Sequence, residues 1–251
     1  MSGHSKWSSI KHKKGAADAK RGKLFSKLAR AIIVAAREGG PDPAGNLPLQ
    51  NAIEKARSYS MPKENIERAI ARGSGAGTDS EAFEQVVYEG YGPNGVAVIV
   101  EALTDNRNRT ASDVRHVFTK NDGNLGTTGA VAWLFERKGI ILVDADRFDE
   151  DSVMLAAADG GADDVVQDGS TFQVTTSPES LSGVREALEQ AGIDVDSAET
   201  TMVAKTTVEL GDEAAARKTL RLIDALEELD DVGEVYANFD IPERLLEAVA
   251  S

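Results

Sequence analysis

The spacing of apolar residues changes along this 251-residue chain, and each change predicts a different kind of structure. From about Asp18 to Arg37, Leu24, Phe25, Leu28, Ile32 and Ala35 recur at helical spacing on one arc. Gly39, Gly40 and Pro41 end that helix, and 42–48 reads as a loop. Leu49, Ala52, Ile53 and Ala56 keep the helical period. Met61 and Pro62 open a third helix, with Ile66, Ala69 and Ile70 inward and Gly73 as its stop. Three amphipathic helices predict a small bundle. The run GSGAGTDS at 73–80 then reads as a flexible linker.

Beyond Phe83 the period shortens. Residues 83–91 and 96–103 read as strands joined by a turn at Gly92-Pro93-Asn94-Gly95. Thr110 and Asp113 form a capping-box pattern ahead of a helix carrying Val114, Val117 and Phe118, and 131–135 reads as the next strand. One helix cannot cover a three-stranded sheet, so this unit lacks part of a layer. Residues 139–204 are complete in themselves: strand 140–143, helix 151–159, strands 164–167 and 171–175, helix 178–191 and strand 195–203. That order is the split β-α-β-β-α-β pattern of ferredoxin-like domains. A strand near 206–210, a helix over 212–229 and a strand over 233–238 then supply what the earlier unit lacked.

The expected fold class is therefore α+β: an N-terminal three-helix bundle plus two ferredoxin-like α/β domains, one inserted in the other. The expected domains are a basic helical domain at 1–79, a discontinuous α/β domain at 80–138 and 205–251, and an inserted ferredoxin-like domain at 139–204. The second and third helices superficially resemble a helix-turn-helix. The third carries Glu64 and Glu67 among its bases, however, which makes it a poor major-groove reader.

Charge divides the chain more sharply than hydropathy does. Residues 1–37 hold ten Lys or Arg against one acid, Asp18, a net of +9. Residues 38–78 cancel, and 79–251 hold 13 bases against 36 acids, a net of −23, which leaves the whole chain at −14. A basic head on an acidic body suggests a polyanionic partner. On the predicted first helix Lys20, Lys23, Lys27, Arg30 and Arg37 fall within an arc of about 100°, opposite the apolar arc. The plainer reading of such a stripe is a solvated face, but solvated faces usually interleave Glu with Lys, and here the signs are almost unmixed. Ahead of the helix, GHSKWSSIKHKKG at 3–15 is too short and polar to bury itself and reads as an arm. Its donors suit phosphates, and Trp7 can stack on a base or lie against the helices.

The stretches GHSKW…IKHKKGAADAKRGKLFSKLAR, MPKENIERAIARG at 61–73, YEGYGPNG at 88–95, EALTDNRNRT at 101–110, NLG at 124–126 and 222–236 near the end carry a resemblance over essentially the whole chain. The chain resembles the YebC family, whose bacterial and mitochondrial members are also called TACO-type translational activators. The resemblance implies a regulator of gene expression, in some members labelled a DNA-binding transcriptional regulator and in others a translational activator working at the ribosome. It also implies the discontinuous domain arrangement. Asn94 stands where the family commonly has Gly, and Asn121-Asp122 precede Gly123. Asn and Asp tolerate left-handed turn geometry, so the fold survives both departures.

Little else in the chain suggests chemistry. With no cysteine, disulfides, thiolate metal sites and cysteine nucleophiles are excluded. His4, His12 and His116 have no spacing that pairs them with ligands or a nucleophile. DADRFDED at 144–151 places Phe148 and Asp149 where a calcium loop needs an acceptor and a turn Gly, so it reads as a solvated acidic turn. The glycines of 91–95 join two strands and open no helix, unlike a phosphate-binding loop. Outside the head one stretch stands out, DNRNR at 105–109, where Arg107 and Arg109 precede a helix in a body poor in bases. Either this is a phosphate contact, or Asp105 and the asparagines cap the turn while the arginines pair with acids. The expected nucleic-acid-binding residues are Lys6, Trp7, Lys11, His12, Lys13, Lys14, Lys20, Arg21, Lys23, Lys27, Arg30, Arg107 and Arg109. No enzyme activity, catalytic residue, metal, cofactor or small-molecule substrate is expected. A basic amphipathic helix can also bind anionic lipid, but the apolar face here is claimed by the bundle. The expectation is a cytoplasmic protein whose partner is DNA or RNA, with the ribosome as the alternative target.

Overall fold

The structure, a computed structural model, describes residues 18–75, 83–242 and 245. It divides into two compact units: Phe135–Lys205, and the remainder of the chain on either side of it.

In the larger unit the helical head is built as the apolar spacing predicts. Helices α1 (Asp18–Gly39), α2 (Leu47–Ser58) and α3 (Lys63–Gly73) enclose Leu28, Ile32, Ala35, Leu49, Ile53, Ala56, Ile66 and Ala69, with Met61 between the last two helices. Asn46 locks the first corner. Its side-chain oxygen accepts from the N–H of Leu49, while its amide nitrogen donates to the carbonyls of Ala35 and Gly40, each at 2.8 Å. One buried side chain thus caps α2 and ties it to the end of α1. Gly73 ends α3 against α1, where an added Cβ would lie 2.5 Å from the carbonyl oxygen of Ile33 and 2.8 Å from the Ala36 methyl.

The head is followed by β1 (Glu84–Tyr91) and β2 (Ala97–Thr104), paired antiparallel from Glu84 opposite Thr104 to Tyr91 opposite Ala97. Between them Asn94 has φ 61°, and at the next corner Asp122 has φ 58°. These two departures from glycine therefore occupy left-handed positions, as their residue types permit. Helix α4 (Arg107–Lys120) begins one turn earlier than the Thr110–Asp113 pattern predicts. Asn106 is its cap, with its side chain accepting from the N–H of Arg109. Where a strand over 131–135 was expected, Ala132–Leu134 forms a single turn of 3-10 helix. The fourth place in the sheet is taken by β3 (Asn124–Leu125), whose two residues pair with Tyr91 and Gly90.

The smaller unit contains β4 (Phe135–Asp144), α5 (Glu150–Asp159), β5 (Asp164–Asp168), β6 (Thr171–Thr176), α6 (Leu181–Gln190) and β7 (Ser197–Ala204). Its sheet order is β5-β6-β4-β7, all antiparallel, which is the split β-α-β arrangement read from the sequence. Ile141, Val143, Phe172 and Val174 of the sheet pack on Val153, Ala157, Val184 and Leu188 of the helices.

Returning to the larger unit, the chain supplies β8 (Val208–Glu209), α7 (Glu213–Glu227), β9 (Val232–Ala237) and β10 (Phe239–Asp240). Strand β9 completes a sheet of order β3-β1-β2-β9. Helix α7 lies beside α4 and covers one face, where Leu222, Ile223 and Leu226 meet Val98, Val100, Val114 and Phe118. The missing half-layer is thus filled from 70 or more residues downstream. Strand β8 does not join this sheet; it pairs in parallel with β10.

Candidate nucleic-acid interface

Lys6, Trp7, Lys11, His12, Lys13 and Lys14 lie outside the described residues. Lys20 falls in the first turn of α1, although its side chain is not among those described, and Arg21 is exposed. The rest of the basic arc faces the chain's own acidic body. Lys23 donates to the carbonyl of Glu228 at 2.6 Å and bridges Asp230 at 3.0 Å. Lys27 donates to the carbonyl of Glu227. Arg30 donates to the carbonyls of Leu103 and Asp230 and to the Asp231 carboxylate, each at 3.0 Å, and lies 4.8 Å over the ring of Phe83. Arg37 donates to the carbonyl of Phe83 at 2.7 Å, and Lys55 bridges Glu234 at 2.6 Å.

The expectation of an open cationic face is therefore corrected for Lys27 and Arg30, and in part for Lys23, whose side chain is 48% exposed. The physical reason lies at the end of α7. Its last carbonyls carry the negative end of the helix dipole and are followed by the acids of the turn Glu228–Asp231, so that corner is itself an anion. Burial here pushes the Lys27 ammonium down to about 8 from its ordinary 10.5, although Glu227, Asp230 and Glu234 pull it upward.

Asp231 is the centre of this corner. Its carboxylate accepts from Arg30, from Arg109 at 2.7 Å, and from the hydroxyls of Thr110 at 2.7 Å and Thr104 at 3.2 Å. Burial raises its pKa, but the hydrogen bonds from Arg109 and Thr110 and the two guanidinium charges outweigh burial and hold it below the usual range. Arg109 also pairs with Asp105 at 2.7 Å, and the two carboxylates raise the pKa of its guanidinium further. Of the two readings of 105–109, the cap-and-pair reading describes Asn106 and Arg109. Arg107 remains exposed, and its backbone carbonyl accepts from the Tyr88 hydroxyl.

Two features were missed by the sequence reading. The first is Glu89, buried in β1, whose carboxylate accepts from the backbone N–H groups of Gly129, Val131 and Ala132 at 2.6, 2.8 and 2.7 Å. Burial alone would raise its pKa, but those three donors hold it below the usual range. A lone Glu in a strand is ordinary, so only its partners reveal it. The second is a cleft of about 440 Å³ between the start of α1, the end of α4 and the outer face of α7. Lys23, His116, Lys120 and Arg221 line it together with Val117 and Leu229, and Glu228 is its one carboxylate among the described residues. Four basic side chains spread over 23 to 221 in sequence give no local signal, because only the fold brings them together. Among the described residues no group of three His, Asp or Glu is placed to hold a metal ion, and no helix is long and apolar enough to cross a membrane.

Comparison with known proteins gives the family. Residues 5–76 match the TACO1/YebC protein N-terminal domain, and residues 83–239 match the TACO1/YebC second and third domain. A "Probable transcriptional regulatory protein" of Rubrobacter xylanophilus is 59% identical over 250 residues, covering 100% of both chains. One of the same name from Persephonella marina is 54% identical over 251 residues, again covering 100% of both. The crystal structure of a conserved hypothetical protein from Aquifex aeolicus superposes with a TM-score of 0.79 at 53% identity, covering 90% of this chain and 93% of that one. With both family regions matched in order and relatives more than half identical end to end, the chain belongs to the TACO1/YebC family.

Proposed function

We propose that this protein is a non-enzymatic, nucleic-acid-binding regulator of gene expression that grips its target with the basic head, 1–79. The observation that carries the proposal is the segregation of charge: a net of +9 in residues 1–37 against −23 in residues 79–251. With Lys27, Arg30 and Arg37 engaged by the chain's own acids and carbonyls, and Lys23 engaged in part, the cations left wholly to a partner are those of the arm, Lys6, Lys11, Lys13 and Lys14, with Lys20 and Arg21 at the start of α1. Trp7 and His12 lie among them and suit stacking and phosphate contact. The relatives' names support a regulator of transcription, and on that reading DNA is the target we propose.

One observation favours a second reading. Bodies as acidic as this one are repelled by a long duplex, and the head offers phosphate donors but few groups to read base edges. Ribosomal or transfer RNA, surrounded by protein that can face the acidic domains, fits that charge better, and makes the protein a ribosome-associated translational activator. Sedimentation with ribosomes separates the two. Co-sedimentation that is lost in a Lys11→Glu, Lys13→Glu, Lys14→Glu variant supports translation. No co-sedimentation, together with sequence-selective duplex binding lost in the same variant, supports transcription. Binding to neither removes the proposal.

A further inference from the structure

We infer that the cleft lined by Lys23, His116, Lys120 and Arg221 is a second polyanion site, which holds a phosphodiester of the nucleic acid that the arm engages. The inference rests on the proposed function for its ligand, but not for its geometry. The acidic body has only 13 bases among residues 79–251, and three of the seven on α4 and α7 are paired with nearby carboxylates. Arg109 is paired with Asp105 and Asp231, Arg217 with Glu213, and Lys218 with Asp122. Lys120 and Arg221 differ: among the described residues neither has a carboxylate partner, yet they line the same cleft from different helices. Cations that share a concavity repel one another unless an anion lies between them, and low-dielectric walls strengthen the field they sum to.

The third cation is held in place. The bonds from Lys23 to the Glu228 carbonyl and to Asp230 fix its ammonium at the rim, with its side chain still half exposed. The head thus supplies the cleft's third cation, since Lys23 belongs to α1 and the other lining residues to 116–121 and 221–229. His116 adds a ring donor, and Val117 and Leu229 give the sugar an apolar surface. The charge is wrong for a metal or a cationic ligand. The mixture of ammonium, guanidinium and imidazole beside apolar side chains suits a phosphodiester with its sugar.

The test uses the full chain and a Lys120→Gln, Arg221→Gln variant, whose side chains are exposed and make no ion pair that the fold requires. Affinity for a single-stranded RNA oligonucleotide is measured from 50 to 300 mM salt. Losing that phosphate contact should make the log–log salt slope on single-stranded RNA shallower by about 0.7. In parallel, the His116 ring resonances, assigned with His116→Gln, are followed as the oligonucleotide is added. They should shift to saturation in the wild type and stay fixed in the double variant. An unchanged slope in the double variant, with a shallower one when Lys11, Lys13 and Lys14 are replaced, overturns the cleft and leaves the head reading intact. If the wild type binds no nucleic acid, the head reading fails as well. His116 shifts produced by poly-glutamate but not by the oligonucleotide would assign the cleft to an acidic protein surface and overturn the inference.

Discussion

Glu89 carries more of the fold than its plain sequence context suggests. Three backbone donors converge on its carboxylate, and its own carbonyl accepts from the N–H of Gly126 at 2.8 Å, so one residue shapes the loop 126–132. Glu89→Gln keeps the volume but replaces one charged acceptor oxygen by a donor that faces N–H groups. We expect a loss of about 1–3 kcal/mol, read as a lower urea midpoint with an unchanged m value. The acid side of the stability curve should change too. Unfolded, the carboxyl titrates near 4.5, and folded it titrates lower, so its contribution is complete above 4.5 and disappears as pH falls through the folded value. The Glu89→Gln variant should therefore lose less stability than the wild type below pH 4.5, and parallel acid-unfolding curves would contradict this account. Asn46 makes the same point with the opposite polarity. Its amide donors hold two carbonyls at the end of α1 while its oxygen caps α2, so Asn46→Asp keeps the cap, loses both donors and should destabilise the head by about 1–3 kcal/mol in thermal unfolding.

Among the elements, α1 has the most demanding position, because the bundle and the acidic body both claim it. On its bundle side, Gly73 of α3 approaches so closely that a methyl group would fall within 2.5 Å of the Ile33 carbonyl oxygen. Gly73→Ala should thus cost about 1–3 kcal/mol despite its better helix propensity, and a neutral result in chemical denaturation would show that α3 can shift. On its other side Lys27 is charged where burial opposes charge. Its folded pKa of about 8 lies below the unfolded 10.5, so between those values the unfolded chain binds more protons and stability rises with pH. Lys27→Met removes that rise: the variant should gain on the wild type at pH 7.5 and lose that advantage by pH 10.5, in paired urea titrations. The apolar arc of α1 was legible in the sequence because a period of 3.6 residues is a local property. The occupants of its polar arc were not, since Glu227–Asp231 lies some 200 residues away. For the same reason β3 and the turn at 132–134 went unread: two residues pair there because Tyr91 is already in place, and no local alternation marks them.

At the scale of the whole molecule, the charge map read from the sequence and the one seen in the fold differ in one respect that can be measured. A helical wheel displays Lys20, Lys23, Lys27, Arg30 and Arg37 of α1 on one open face, and by that display all five are available to a polyanion together with Lys6, Lys11, Lys13 and Lys14 of the arm. In the fold, the acidic body already acts as the polyanion for Lys23, Lys27, Arg30 and Arg37, through carboxylates and through carbonyls that no sequence pattern marks as anionic. Binding by counterion release counts only the cations that meet phosphate, at about 0.7 to 0.9 of a slope unit each for single strands and duplexes. Replacing Lys11, Lys13 and Lys14 by Gln should therefore make the log–log salt dependence shallower by about 2 to 3. Lys27→Met should leave it unchanged, although Lys27 lies on the same nominal face of charge. Fluorescence anisotropy with a labelled oligonucleotide across a salt series checks both variants side by side. A slope that falls equally with Lys27→Met would mean that the head leaves the body when it binds, carrying its whole cationic arc to the nucleic acid.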